Sequence, residues 1–263
     1  MLPASYYGRM GSPSNAEGRQ PHRKGRVAFF GGSFDPPHLG HLAVAQAAKA
    51  ALGLDSVLFA PVGAQPLKPL GSTAEFAHRL AMTRLAIAGE PGFELSLADA
   101  PKPSGAPNYT LDTLLSLRSE LPPDGALFCL MGADSFAGLR RWHRAAEIPF
   151  AAPLIVASRP GEDLSDLAAW LPAGLSIEVL PQENRQAPEI DLRCYLLRNQ
   201  KGETAPFYLL PGLQIEISAS EIREQIRVRN QEKLPAAAQG KSPECELLPV
   251  AVSDYIRAHG LYK

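Results

Sequence analysis

Short apolar runs alternate with helical patterns along most of this chain, and that alternation restricts the fold more than any other feature. VAFFGG (Val27–Gly32) reads as a buried strand. HLAVAQAAKAAL follows as an Ala-rich helix, with Gly53 just past its end as a C-cap. SVLFAPV (Ser56–Val62) is the next strand, and AEFAHRLAMTRLAIAG the next helix, with Ser72 or Thr73 as N-cap. FELSL (Phe93–Leu97) precedes the helix TLDTLLSLRSEL, which stops at a double proline. ALFCLMG (Ala126–Gly132), PLIVASRP (Pro153–Pro160) and LSIEVL (Leu175–Leu180) supply three more strands. Strands separated by helices imply a parallel sheet covered on both faces. The expected fold is therefore α/β: a Rossmann-like, doubly wound parallel sheet with a short helical C-terminal part in PVAVSDYIRAHGLY. Such sheets bind ligands at the carboxyl ends of their strands.

Domain organisation follows from the same rhythm. Residues 1–25 are polar, without an apolar core segment, and are expected to be a disordered tail. Residues 26–263 are expected to form a single domain, interrupted by polar segments near 182–206 and 228–249 that read as insertions or long loops. Lys plus Arg is 26 against 27 for Asp plus Glu, a net charge of −1. A nucleic-acid-binding chain is usually strongly basic, so any phosphate site here must be local. No apolar stretch approaches the roughly 20 residues that span a bilayer. The three cysteines, Cys129, Cys194 and Cys245, form neither a CxxC pair nor a zinc pattern. They favour a reducing, cytoplasmic setting.

The first strand runs into GGSFDPPHLGH (Gly31–His41). Gly31 and Gly32 allow a sharp turn and a close approach of backbone amides to a ligand. The helix beginning near His38 or Leu39 points its N-terminal amides and dipole at the same place, which favours an anion. His38 and His41 share one face of that first turn, and Gly40 leaves room between them. HxxH alone would read as two surface histidines, but the flanking glycines and the strand in front argue for a phosphate cradle.

These residues carry a resemblance. GGSFDPPHLGH resembles the signature of the nucleotidylyltransferase superfamily, whose HxGH motif binds the triphosphate of ATP. The longer SFDPPH form resembles the bacterial nicotinate-nucleotide adenylyltransferases. RLAMTRLAI, NYTLDTL, MGADSF with RWH, SRPG, ISASEIR and VSDYIRAHGLY resemble further segments of that family. The similarity covers Val27 to Lys263 apart from the two polar segments. It implies transfer of AMP from ATP to nicotinate mononucleotide, giving deamido-NAD and pyrophosphate in NAD biosynthesis. A relative using the amide mononucleotide or phosphopantetheine, or an inactive nucleotide-binding sensor, would share much of the pattern.

The resemblance also distributes roles. Gly31, Gly32, Ser33, Phe34, His38, Gly40, His41, Ser218, Ser220 and Arg223 would bind ATP, with His38, His41 and Arg223 catalytic. Ser218 and Glu221 also make an SxxE capping box, which needs no function. The family's second serine is Ala219 here and its threonine Ser220. Lys68, Tyr109, Thr110, Gly132, Asp134, Trp142 and Arg159 would bind the pyridine mononucleotide. Tyr109 and Thr110 would hold it at a helix start, Asp134 would take its ribose, and Trp142 would stack its ring. Leu67 stands where the family often has a histidine before Lys68. Asp99 and Lys102 align only loosely and stay outside the expected site. Mg²⁺ would arrive on the ATP phosphates, with no protein metal site. The expected partners are ATP and nicotinate mononucleotide, without nucleic acid or membrane.

Overall fold

A computed structural model describes residues 25–67, 71–158, 167–180, 191–211, 217–231 and 247–263. Its elements are β1 (Arg26–Gly32), α1 (Leu39–Leu52), β2 (Ser56–Pro61), α2 (Phe76–Ala86), β3 (Phe93–Leu95), α3 (Thr110–Glu120), β4 (Ala126–Gly132) and α4 (Ala133–Ala137). They continue with α5 (Ile148–Ala151), β5 (Leu154–Ala157), α6 (Leu167–Trp170), β6 (Leu175–Val179), β7 (Arg193–Asn199), β8 (Thr204–Leu210), α7 (Ala219–Gln231) and α8 (Val250–His259). Single 3₁₀ turns at Leu139–Arg141 and Ala145–Glu147 join α4 to α5. Among the described residues, no helix is long and apolar enough to cross a membrane.

One 8-stranded sheet has the order β3-β2-β1-β4-β5-β8-β7-β6. β1 lies between β2 and β4, parallel to both. The chain therefore leaves β1 in one direction and returns on its other side at β4. The crevice at this switch, beyond the carboxyl ends of β1 and β4, is where a doubly wound sheet leaves space for a ligand. Alternate residues of β1 serve opposite faces of the sheet. Ala28 and Phe30 pack with Leu42, Ala45 and Ala48 of α1, Met82 of α2, Ile222 of α7 and Val252 of α8. Val27 and Phe29 pack with Leu111 and Leu114 of α3, Phe136 of α4 and Ile148 of α5. Helices on both faces explain why β2 is buried along its whole length.

The helix ends show where local signals sufficed. Leu42, Ala45, Ala48 and Leu52 form the buried stripe of α1, and Gly53 closes the helix at φ 58°, its N–H donating to the Lys49 carbonyl. α2 departs from expectation. It starts at Phe76, and neither Ser72 nor Thr73 caps it; Glu75 holds the N-cap position without a side-chain bond. The amides of Thr73 and Ala74 are instead satisfied by the carboxylate of Asp35, 38 and 39 residues earlier.

The far edge of the sheet corrects one expectation. β6 does not follow β5 as its parallel neighbour; β8 does, with Leu154 opposite Phe207. β6 is the outermost strand, joined through antiparallel β7. The segment near 182–206 is accordingly not a polar loop throughout. Arg193–Asn199 and Thr204–Leu210 form a hairpin whose turn includes Gly202 at φ 81°. Pro206 is tolerated because β8 meets β5 only from Phe207 onward, so its missing N–H interrupts no bond on that side. In the other polar segment α7 extends to Gln231. Residues 1–24 of the expected tail, 181–190 and 232–246 lie outside the described residues.

Candidate active site

Two cavities open at the switch in strand order. The first has a volume of about 490 Å³ and the second about 620 Å³. Gly31, Gly32, Ser33, Met131, Asp134 and Ser135 line both, so the ends of β1 and β4 form a shared wall. Side chains would obstruct that wall. A Cβ at Gly31 would lie 2.7 Å from the Phe29 ring, and one at Gly32 would lie 3.3 Å from the Phe34 ring.

The loop after the wall is held open by its own aromatic residue. Phe34 has a left-handed backbone (φ 47°), an unfavourable conformation for a residue with a side chain. Its ring is 1% exposed and packs edge-on to Phe30 at 5.5 Å between centroids. Burial of the ring offsets the backbone cost, and Phe34 borders the first cavity.

α1 aims its first turn into this cavity through His38, Gly40 and His41. The two imidazoles stack, with centroids 3.7 Å apart and planes 29° from parallel. The His38 backbone N–H donates to Nδ1 of His41 at 3.2 Å. A ring accepting at Nδ1 carries its proton on Nε2, so His41 presents a second-nitrogen donor rather than an acceptor.

A second helix start faces the same cavity. Ser218, just before α7, and Ala219, Ser220 and Arg223 of α7 line it. Ser218 Oγ accepts the Ser220 N–H at 3.3 Å, a capping contact. Arg223 donates through Nη1 to the Asp35 carbonyl at 2.7 Å and through Nη2 to Ser220 Oγ at 3.2 Å. All ten residues expected at ATP therefore border the first cavity.

The second cavity gathers Tyr109 and Thr110 from the start of α3, with Trp142 and Asp134. Trp142 is half-buried against the core below it. Tyr109 packs on His143 with centroids 4.4 Å apart. Gly132, expected at the pyridine nucleotide, borders the first cavity instead. Lys68 and Arg159 lie outside the described residues.

Several groups in the second cavity lie outside the site expected from the sequence: Gln65, Asp99, Asn108, Arg141 and His143. Asn108 is structural, its side chain accepting from the Ala64 N–H and donating to the Ala100 carbonyl, 3.0 Å each. Asp99 is 4% exposed and accepts the Thr113 hydroxyl. Burial pushes its carboxyl above the ordinary aspartate range, against the opposing pull of the Thr113 bond and Lys102. Arg141 was legible as a cation beside Trp142, but a run such as LRRWHR gives no sign of which charge turns inward. Cys129, on the cavity floor, is buried, and burial pushes its thiol up to about 12. It is a packing residue.

Paired cavities at the carboxyl ends of parallel strands, one ringed by two helix starts and an arginine, define a nucleotide-binding α/β transferase. The cytidylyltransferase-like family profile matches residues 29–225. A relative in Roseiflexus castenholzii, named a probable nicotinate-nucleotide adenylyltransferase, is 37% identical over 241 residues, 91% of this chain and 98% of its own. One of the same name in Gloeobacter violaceus is 35% identical over 90% of this chain and 96% of its own. The chain belongs to the cytidylyltransferase-like family and, within it, to the nicotinate-nucleotide adenylyltransferases. The nicotinic acid mononucleotide adenylyltransferase of Plasmodium falciparum, solved in complex with NaAD, shares the fold. Its TM-score is 0.61 at 17% identity, covering 91% of this chain and 98% of that one.

Proposed function

We propose that this chain transfers the AMP half of ATP to nicotinate mononucleotide, giving deamido-NAD and pyrophosphate in NAD biosynthesis. The observation that carries the reading is the shared wall Gly31–Ser33: two cavities meet there, so two nucleotides can bring their phosphates together. The acceptor's 5′-phosphate oxygen forms the new bond to the α-phosphorus, and the bond from that phosphorus to the bridging oxygen of the β-phosphate breaks. The attacking phosphate is already an anion, so no side chain need act as base. What remains is positioning and stabilisation of charge on the α-phosphate and the departing pyrophosphate.

In this reading the amides of α1 and the Nε2–H of His41 face the α-phosphate. His38, Ser220, Arg223 and the start of α7 receive the β- and γ-phosphates. The resemblance would have Lys68 and Arg159 add cations to the pyridine mononucleotide. Mg²⁺ would ride on the triphosphate and neutralise part of its charge. Among the described residues no group of three or more His, Cys, Asp or Glu could hold an ion. The carboxylate of Asp35, a residue bordering the first cavity, already accepts three protein donors.

For the acceptor, Trp142 supplies a ring face, and Asp134 lies where a ribose could meet both cavities. A ring face does not distinguish a carboxylate from a carboxamide, since both are planar and similar in size. The backbone amides at Tyr109 and Thr110 and the Arg141 guanidinium favour the acid, because donors pair with both carboxylate oxygens and clash with an amide NH₂. The test is pyrophosphate release from ATP and Mg²⁺ with nicotinate mononucleotide, its amide and phosphopantetheine as acceptors. The acid should exceed the amide by roughly ten- to a hundredfold in kcat/KM. Trp142→Ala should weaken both mononucleotides while leaving their ratio nearly unchanged. Equal rates for acid and amide would replace this reading with a dual-specificity enzyme.

A further inference from the structure

Asp35 occupies a junction that none of these roles uses. It is 4% exposed. Its carboxylate accepts the Thr73 amide at 2.6 Å, the Ala74 amide at 3.1 Å and the Tyr262 hydroxyl at 2.7 Å. Its own carbonyl accepts Arg223 Nη1 at 2.7 Å. The residue therefore couples four parts of the molecule: the loop after β1, the approach to α2, α7, and the turn after α8.

The contributions differ in kind. The two amides belong to a neighbouring segment and serve the start of α2. Tyr262 comes from 227 positions away and brings a single hydroxyl. It has a left-handed backbone (φ 63°) and is 8% exposed, packed into the core on the α1 and α2 side of the sheet. A side chain held in that conformation requires compensating contacts. α8 is docked on α2 by a separate contact, His78 Nδ1 to the Tyr255 hydroxyl at 3.0 Å, so the Tyr262 hydroxyl is not what fastens the helix. Its effect is on Asp35. Oδ2 is fixed by Thr73 alone, whereas Oδ1 is shared by Ala74 and Tyr262. Without the hydroxyl, Oδ1 keeps one long bond, and the carboxylate can rotate about the Thr73 contact. The Asp35 carbonyl that aims Arg223 belongs to the same residue. A guanidinium has five N–H donors, and two of those on Arg223 are committed to Asp35 and Ser220. The direction of the others depends on those two.

We propose that Tyr262 is a positioning residue for the first cavity, its hydroxyl fixing Asp35 so that Arg223 points at the triphosphate. This rests on reading the first cavity as the ATP site. The test is a double-mutant cycle of Tyr262→Phe and Arg223→Ala, read by steady-state kinetics and by calorimetric titration with ATP. Tyr262→Phe retains the buried ring. It should lower kcat/KM for ATP by about tenfold, with KM for nicotinate mononucleotide changed by less than about twofold. In the Arg223→Ala background the same substitution should change kcat/KM for ATP by less than about twofold, and the Kd for ATP should follow the same pattern. Equal losses in both backgrounds, a matching rise in KM for both substrates, an unfolded Tyr262→Phe protein, or no effect in the parent protein would each overturn the proposal. Failure of the functional reading is distinguishable: it appears as absent turnover by the unsubstituted chain, while the Kd cycle reports on the positioning alone.

Discussion

At His41 the chemistry depends on which ring nitrogen carries the proton. The N-cap amide of α1 occupies Nδ1, which leaves Nε2–H as the donor that the proposed reaction would use for charge developing on the phosphate. His41→Ala should lower kcat by about 10²-fold or more, the cost of losing one preorganised donor. A near-normal kcat with only a raised KM for ATP would assign His41 to ground-state binding. Asp99 tests a different property. Its carboxyl is held above the ordinary aspartate range by burial. Between the ordinary value and the raised one, the unfolded chain has released a proton that the folded chain retains. Stability contributed by the neutral acid is complete below that window and is lost as pH rises through it. Asp99→Asn keeps a carbonyl acceptor for Thr113 without ionising. The stability of the parent protein relative to Asp99→Asn should therefore fall as pH rises through the window, measured by thermal melts across the acidic range. A pH-independent difference would mean that the carboxyl is solvated.

At the scale of elements, α2 is fixed from outside more than from within. Arg79, 2% exposed, donates to the carbonyls of Ser33 at 2.7 Å, Val62 at 2.8 Å and Ala74 at 3.1 Å. One planar guanidinium thus ties the loop after β1 and the loop after β2 to α2. Arg79→Ala removes three donors at once and should destabilise the fold by about 3 kcal/mol or more in denaturant titrations. Arg79→Lys should recover only part of this, because a single ammonium does not reproduce the fork. A loss under about 1 kcal/mol would mean that water replaces the donors easily. Neither Arg79 nor Asp35 announces such a role locally; one sits in an ordinary helical pattern and the other in a turn. The hairpin of β7 and β8 was legible in principle, as alternating runs around NQKG, but the polar residues before it dominated the reading.

For the whole molecule, every residue described as lining the two cavities lies between Phe29 and Arg223. A chain beginning at Gly25 should therefore keep its turnover and melting temperature; a drop of many degrees would show that residues 1–24 dock on the domain. By itself the sequence determined the strand and helix alternation, the glycine wall, the HxxH turn and the arginine of α7. Each of these depends on local physics: buried runs of β-forming residues, sharp turns that need glycine, and helix starts that attract anions. Only the tertiary structure decided that β8 rather than β6 follows β5, that Gly132 borders the first cavity rather than the second, and that Asp35 binds the segment before a distant helix while holding Tyr262 and Arg223. The reason is the same in each case. A strand's neighbour and a buried carboxylate's donors are chosen by what packing brings near. Partners 38, 188 and 227 residues apart leave no local pattern to read.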